Sequence, residues 1–128
     1  MKQIYLILLL LLSACATPLQ PREEFQDARQ EFVLRLVWKD YPSAAFFVNE
    51  ELREDFLSKF DQGSELRIIE MRPEKAEFQG ENNSRVMTWS SLDYYRLPST
   101  RIKTFRLRQD WELTAQGWKI VTPFPDLP

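Results

Sequence analysis

Arg85-Val86-Met87-Thr88-Trp89-Ser90-Ser91-Leu92-Asp93-Tyr94-Tyr95-Arg96-Leu97 is the stretch on which the fold turns. It holds no glycine or proline and is rich in aromatic and β-branched residues, the composition of a strand. Side chains alternate across a strand, so Met87, Trp89, Ser91, Asp93 and Tyr95 share one face. Val86, Thr88, Ser90, Leu92 and Tyr94 share the other. Both faces carry sizeable apolar groups. Gly80-Glu81-Asn82-Asn83-Ser84 before it and Pro98-Ser99 after it are turn compositions.

Outward from this strand, the period is two as far back as Leu66. Leu66 to Met71 reads as a strand, and Glu74 to Gln79 as a second one or as its continuation past a kink at Pro73. Downstream, Arg101 to Leu113 reads as a returning strand with a bulge near Arg106, where the alternation slips. Ala115-Gln116-Gly117 closes a hairpin onto Trp118 to Val121. Before Ser64 the period is helical. Phe25, Ala28, Phe32 and Leu36 fall on one face of a helix from Pro21 to Lys39, with Val33 beside them. Leu34 and Trp38 lie nearly opposite, which predicts contact on two sides. Asp40-Tyr41-Pro42 breaks that helix. A short helix over Ser43 to Val48 follows, and then one from Glu50 to Phe60, capped by Asn49 and stopped at Gly63. Helices first and an antiparallel meander afterwards predict an α+β domain, with the helices on one face of four or five strands.

The chain begins differently. Lys2 precedes the apolar run Ile4–Leu12, and Ser13-Ala14-Cys15 follows. This is the three-part layout of an export signal. The run is too short to span a bilayer, which takes roughly 20 apolar residues. Leu12-Ser13-Ala14-Cys15 resembles the lipobox of bacterial lipoprotein precursors. The resemblance implies cleavage before Cys15, a diacylglycerol thioether on its sulfur and acylation of the new amino terminus. Cys15 is the only cysteine, so no intramolecular disulfide can form. Two or three acyl chains hold firmly where one holds marginally. The expected division is a signal over 1–14, a lipidated tether over 15–21, a folded domain over 22–122 and a proline-rich tail over 123–128. The tether segment Ala16–Pro21 reaches at most about 20 Å, which keeps the domain near its membrane. Ala16 stands where inner-membrane retention in enteric-type bacteria uses aspartate. The implied location is therefore the periplasmic face of the outer membrane.

The domain itself resembles the nuclear-transport-factor-2-like (NTF2-like) superfamily, a cone-shaped α+β fold related in outline to cystatins. Two blocks carry the resemblance: Trp38-Lys39-Asp40-Tyr41-Pro42-Ser43-Ala44-Ala45 running to Phe56-Leu57, and the pair Trp111-Glu112-Leu113 and Gly117-Trp118-Lys119-Ile120. The fold hosts enzymes, transport adaptors and scaffolds, so function must come from the site.

Composition excludes much chemistry. There is no histidine, and only three glycines. Ser-His-Asp and Cys-His catalysis and most zinc, copper and haem sites are thereby removed, as are phosphate-cradling glycine loops. No cofactor and no metal are expected. A net charge of −2 argues against nucleic-acid binding. What remains is carboxylate chemistry. Some superfamily members isomerise or dehydrate small hydrophobic substrates with a buried Asp and a Tyr, which implies Asp93 as a candidate and Asp40 with Tyr41 as a second. A carboxyl in an apolar pocket would have a raised pKa and act near neutrality. The structural alternatives are that Asp93 faces solvent and that Asp40 ends a helix.

Helices can cover only one sheet face. Trp89, Tyr94 and Tyr95 are accordingly the candidate binding residues, for an envelope protein, a second copy of the chain or a small apolar ligand. Arg101, Lys103, Arg106 and Arg108 make the returning strand basic. They suit either an anionic contact or a solvated strand that discourages edge pairing. The leading expectation is a membrane-anchored, non-enzymatic binding or scaffold module. A small acid–base enzyme is the alternative.

Overall fold

The computed structural model describes residues 20–61 and 63–128. Met1–Leu19, including the export segment and the lipidation residue Cys15, lie outside the described residues. Three helices precede four strands: α1 (Pro21–Val37), α2 (Tyr41–Ala45), α3 (Glu50–Ser58), β1 (Leu66–Gln79), β2 (Arg85–Arg96), β3 (Lys103–Thr114) and β4 (Gly117–Ile120). The strands form one open antiparallel sheet in the order β1-β2-β3-β4. This is the expected α+β arrangement. Val48 adds a parallel rung beside Ile120 at the β4 edge.

Pro21 opens α1, where its missing N–H costs nothing, and Glu23 and Glu24 face the positive end of the helix dipole. The helix ends two residues before Lys39, in a left-handed cap. Lys39 takes φ 62°, the Asp40 N–H donates to the Arg35 carbonyl at 2.9 Å, and the Lys39 N–H donates to that of Leu36 at 3.2 Å. Leu34 and Trp38 are exposed, Trp38 at 77%, so the expected second contact face of α1 meets solvent instead. Asn49 holds the N-cap position of α3 but its side chain caps nothing. Its backbone N–H is used elsewhere, donating to the Ile120 carbonyl at 2.9 Å and tying α3 to the sheet.

β1 runs unbroken past Pro73, with its register to β2 shifting between Ile68 and Glu70 and again between Pro73 and Ala76. The expected bulge near Arg106 is absent: β2 and β3 pair in one register from Arg85↔Glu112 to Tyr94↔Lys103. The apparent slip comes from Ile102, which lies before the strand and is 60% exposed.

Alternation in β2 resolves cleanly. Val86, Thr88, Ser90, Leu92 and Tyr94 are buried, while Met87, Trp89, Ser91, Asp93 and Tyr95 are half-buried. The core lies between that first face and the helices. Phe25 meets Phe78, Trp111 and Trp118 edge-on at 5.5, 5.5 and 5.4 Å, so one α1 side chain touches β1, β3 and β4. Phe32 bridges Trp111 and Phe56. The tail closes the far end: Phe124 packs on Phe56 and Phe60, Leu127 is buried, and the Tyr94 hydroxyl donates to the Pro128 backbone oxygen at 2.6 Å.

Candidate functional site

The uncovered sheet face is a lattice of paired charges. Arg72 donates to both Asp93 oxygens, at 2.6 and 3.0 Å, and to Glu70 at 2.9 Å. The Thr104 hydroxyl donates to Asp93 at 2.8 Å. The Arg72 and Thr104 hydrogen bonds hold the Asp93 carboxyl down to about 2, well below the usual carboxylate range. Further along, Ser91 donates to Glu74, which also faces Arg106 at 3.6 Å.

Trp89 sits in the middle of this lattice. Lys75, Arg106 and Arg108 stand 5.6, 5.9 and 6.0 Å from its ring, within cation–π range. Two of the neighbours that make this arrangement, Glu74 and Lys75, are unpaired β1 residues in the second register shift. The bulge therefore furnishes the open face with charge. It also leaves Trp89 without a β1 partner, and the Arg29 guanidinium on α1 donates to the Trp89 carbonyl at 3.0 Å.

The sequence candidates separate accordingly. Trp89, Tyr95 and Asp93 share the open face. Tyr94 belongs to the core, on the opposite face, and its hydroxyl holds the tail. Asp40 stands at the start of α2, remote from the sheet face, and pairs with Arg35 at 3.4 Å on the surface. Tyr41 stacks on Phe60 at 4.7 Å, and burial pushes its hydroxyl pKa up against the opposing charge of Arg67. Neither carboxylate sits in a closed apolar pocket. Asp93, expected to be raised, is lowered because its neighbours are a cation and a hydroxyl rather than hydrocarbon.

Of the basic strand residues, Arg106 and Arg108 flank Trp89, Lys103 reaches toward the Pro128 oxygen at 3.4 Å, and Arg101 precedes the strand. Among the described residues no Asp or Glu is buried. The buried polar side chains are Arg29, Thr88, Ser90, Gln109 and Lys119. No group of three or more His, Cys, Asp or Glu with metal-binding geometry occurs among them either.

Arg29 escapes a search for reactive side chains, yet the sequence carries a signal for it. It stands four residues after Phe25 and three before Phe32, inside the apolar stripe of α1. A charged residue there must either snorkel or be held.

No family model and no curated protein matches the chain. Solved structures do. An NTF2-like protein from Cytophaga hutchinsonii superposes with a TM-score of 0.62 at 15% identity, over 78% of this chain and 92% of that one. A SEC-C motif-containing protein from Rhodopseudomonas palustris matches with a TM-score of 0.55 at 16% identity, over 88% and 83%. At such identities the likeness is one of fold. The fold is NTF2-like.

Proposed function

We propose that this chain is a lipid-anchored, non-enzymatic binding module of the bacterial envelope, which meets a protein partner through the open sheet face around Trp89. The anchor reading rests on Leu12-Ser13-Ala14-Cys15 and on the short tether to α1. One observation carries the binding reading. The space between helices and sheet is filled by Phe25, Phe32, Phe56, Trp111 and Trp118, which favours recognition on the outside of the domain. A small apolar ligand has no comparable room there. A hollow of about 530 Å³ between α3, the start of β1 and the tail is walled by polar groups such as Lys59, Ser64 and Asp126.

The face suits recognition because it is held in place before binding. Each cation around Trp89 has its own carboxylate: Lys75 with Glu77, Arg106 with Glu74, Arg108 with Asp110. Tryptophan and arginine dominate interface energetics, and groups already ordered lose little entropy on docking.

The test is a photo-crosslinking amino acid at position 89 of the full chain, expressed with Cys15 intact in a bacterial host. A discrete stoichiometric adduct is expected; a band at twice the chain mass would identify a second copy as the partner. Recovery of uncrosslinked monomer alone overturns the reading. In parallel, Cys15→Ala should abolish lipid labelling and leave unprocessed precursor. Normal mature protein from that variant would overturn the anchor.

A further inference from the structure

We propose that the cleft between α1 and the β1 bulge binds a small monocarboxylate, with Arg29 as its counter-ion. Gln26, Arg29, Gln30 and Val33 recur at the spacing of a single helix stripe, and together with Pro73 of β1 they line a hollow of about 270 Å³. Arg29 is only 6% exposed. Its side-chain hydrogen bonds among the described residues both leave Nη2, to the Trp89 carbonyl at 3.0 Å and to the Ser90 hydroxyl at 3.5 Å. Both acceptors are neutral. Among the described residues no carboxylate approaches it within ion-pair distance.

A guanidinium has five N–H donors, and a buried charge without a counter-ion carries its desolvation cost unrelieved. Desolvation by burial lowers the Arg29 pKa from the ordinary arginine value. The contrast with the open face is sharp, since Arg72, Arg106 and Arg108 all have carboxylate partners there. Arg29 is already held by Trp89 and Ser90, so it is oriented before any ligand arrives.

The chemistry of the walls selects the ligand. One cation flanked by two amides suits a single negative charge, with one hydrogen bond from the remaining Arg29 N–H groups and one from Gln26 or Gln30. A phosphate dianion would find only one cation. Val33 and Pro73 supply apolar surface for a short hydrocarbon tail, and the volume falls just under the range of drug-sized clefts, which limits the ligand to a few carbons. The site is separate from the partner face, although the two share the Trp89 backbone.

The experiment is a titration of the isotope-labelled full chain in detergent micelles with sodium butyrate, at ionic strength fixed by sodium chloride. The arms are 1-butanol and inorganic phosphate. Saturable shifts of the Arg29 Nε–H and the Gln26 and Gln30 side-chain amides are expected with butyrate. Butanol should give no saturation, and phosphate should bind at least tenfold more weakly. Arg29→Met should remove saturation. Gln26→Glu, which places a carboxylate three residues before Arg29 on the same stripe, should remove it in a fold that needs no new packing. Shifts that never saturate, or that saturate equally in Gln26→Glu, overturn the site. Equal or tighter phosphate binding overturns the choice of carboxylate.

Discussion

The two faces of β2 are built from alternate residues of one strand, yet they are held by different physics. The inner face is aromatic and dry, with Phe25 touching the rings of three strands. The outer face has exposed and half-buried ion pairs and an aromatic ring ringed by cations. Removal of hydrocarbon from water stabilises the first, whereas exposed ion pairs contribute little each and serve mainly to fix geometry. Stability thus rests on one side of the backbone, and the recognition proposed for this chain on the other.

Three measurements would break or sharpen that division. Phe25→Ala has the largest expected effect, a loss of about 3–5 kcal/mol in denaturant unfolding, because it empties a site where three strands meet. A loss below about 1 kcal/mol would mean that the inner face is not the source of stability. Trp89→Ala should cost no more than about 1 kcal/mol, the scale of exposed cation–π contacts, while eliminating partner binding. A core-sized loss would put Trp89 on the wrong side of the comparison. Arg72→Met should change neutral-pH stability least and be read by carbon NMR at Asp93. The Asp93 carboxyl, held near 2, should rise toward the ordinary carboxylate range, with the Thr104 hydrogen bond still holding it somewhat below. A lowered carboxyl contributes stability above its unfolded pKa and loses it as pH falls through the folded one. Without Arg72 the folded and unfolded values draw together, so the share of acid-side loss that comes from Asp93 should shrink. An unmoved titration would detach Asp93 from the lattice.

The inner face was legible because its signals are local. Strict alternation in β2 and the α1 stripe Phe25, Phe32, Leu36 need no knowledge of the partner strand. The outer lattice was not legible, because Arg72 meets Asp93 only through a register set by the β1 shift between Pro73 and Ala76, and alternation does not encode register. Period two sets Tyr94 on the face opposite Trp89 and Tyr95, and its burial in the core removes it from the candidate binding set; its hydroxyl bond to the tail has no local signal. Proline content announces that residues 123–128 form neither helix nor strand, and is silent on the burial of Phe124 and Leu127. Arg29 is a charge within an apolar stripe, yet no local pattern marks it as a site residue. What it holds depends on a carbonyl that the bulge leaves unpaired, which is a long-range fact.

The β4 edge has a consequence for assembly. Phe47 and Asn49 hydrogen-bond to Ile120 from outside the sheet, so that border is already occupied by the chain itself. At the opposite border, Pro73 lacks a donor and two shifts interrupt the ladder of β1. Neither margin offers a long regular template on which another strand could grow. A crowd of such molecules on one surface would therefore resist zipping edge to edge into extended sheets.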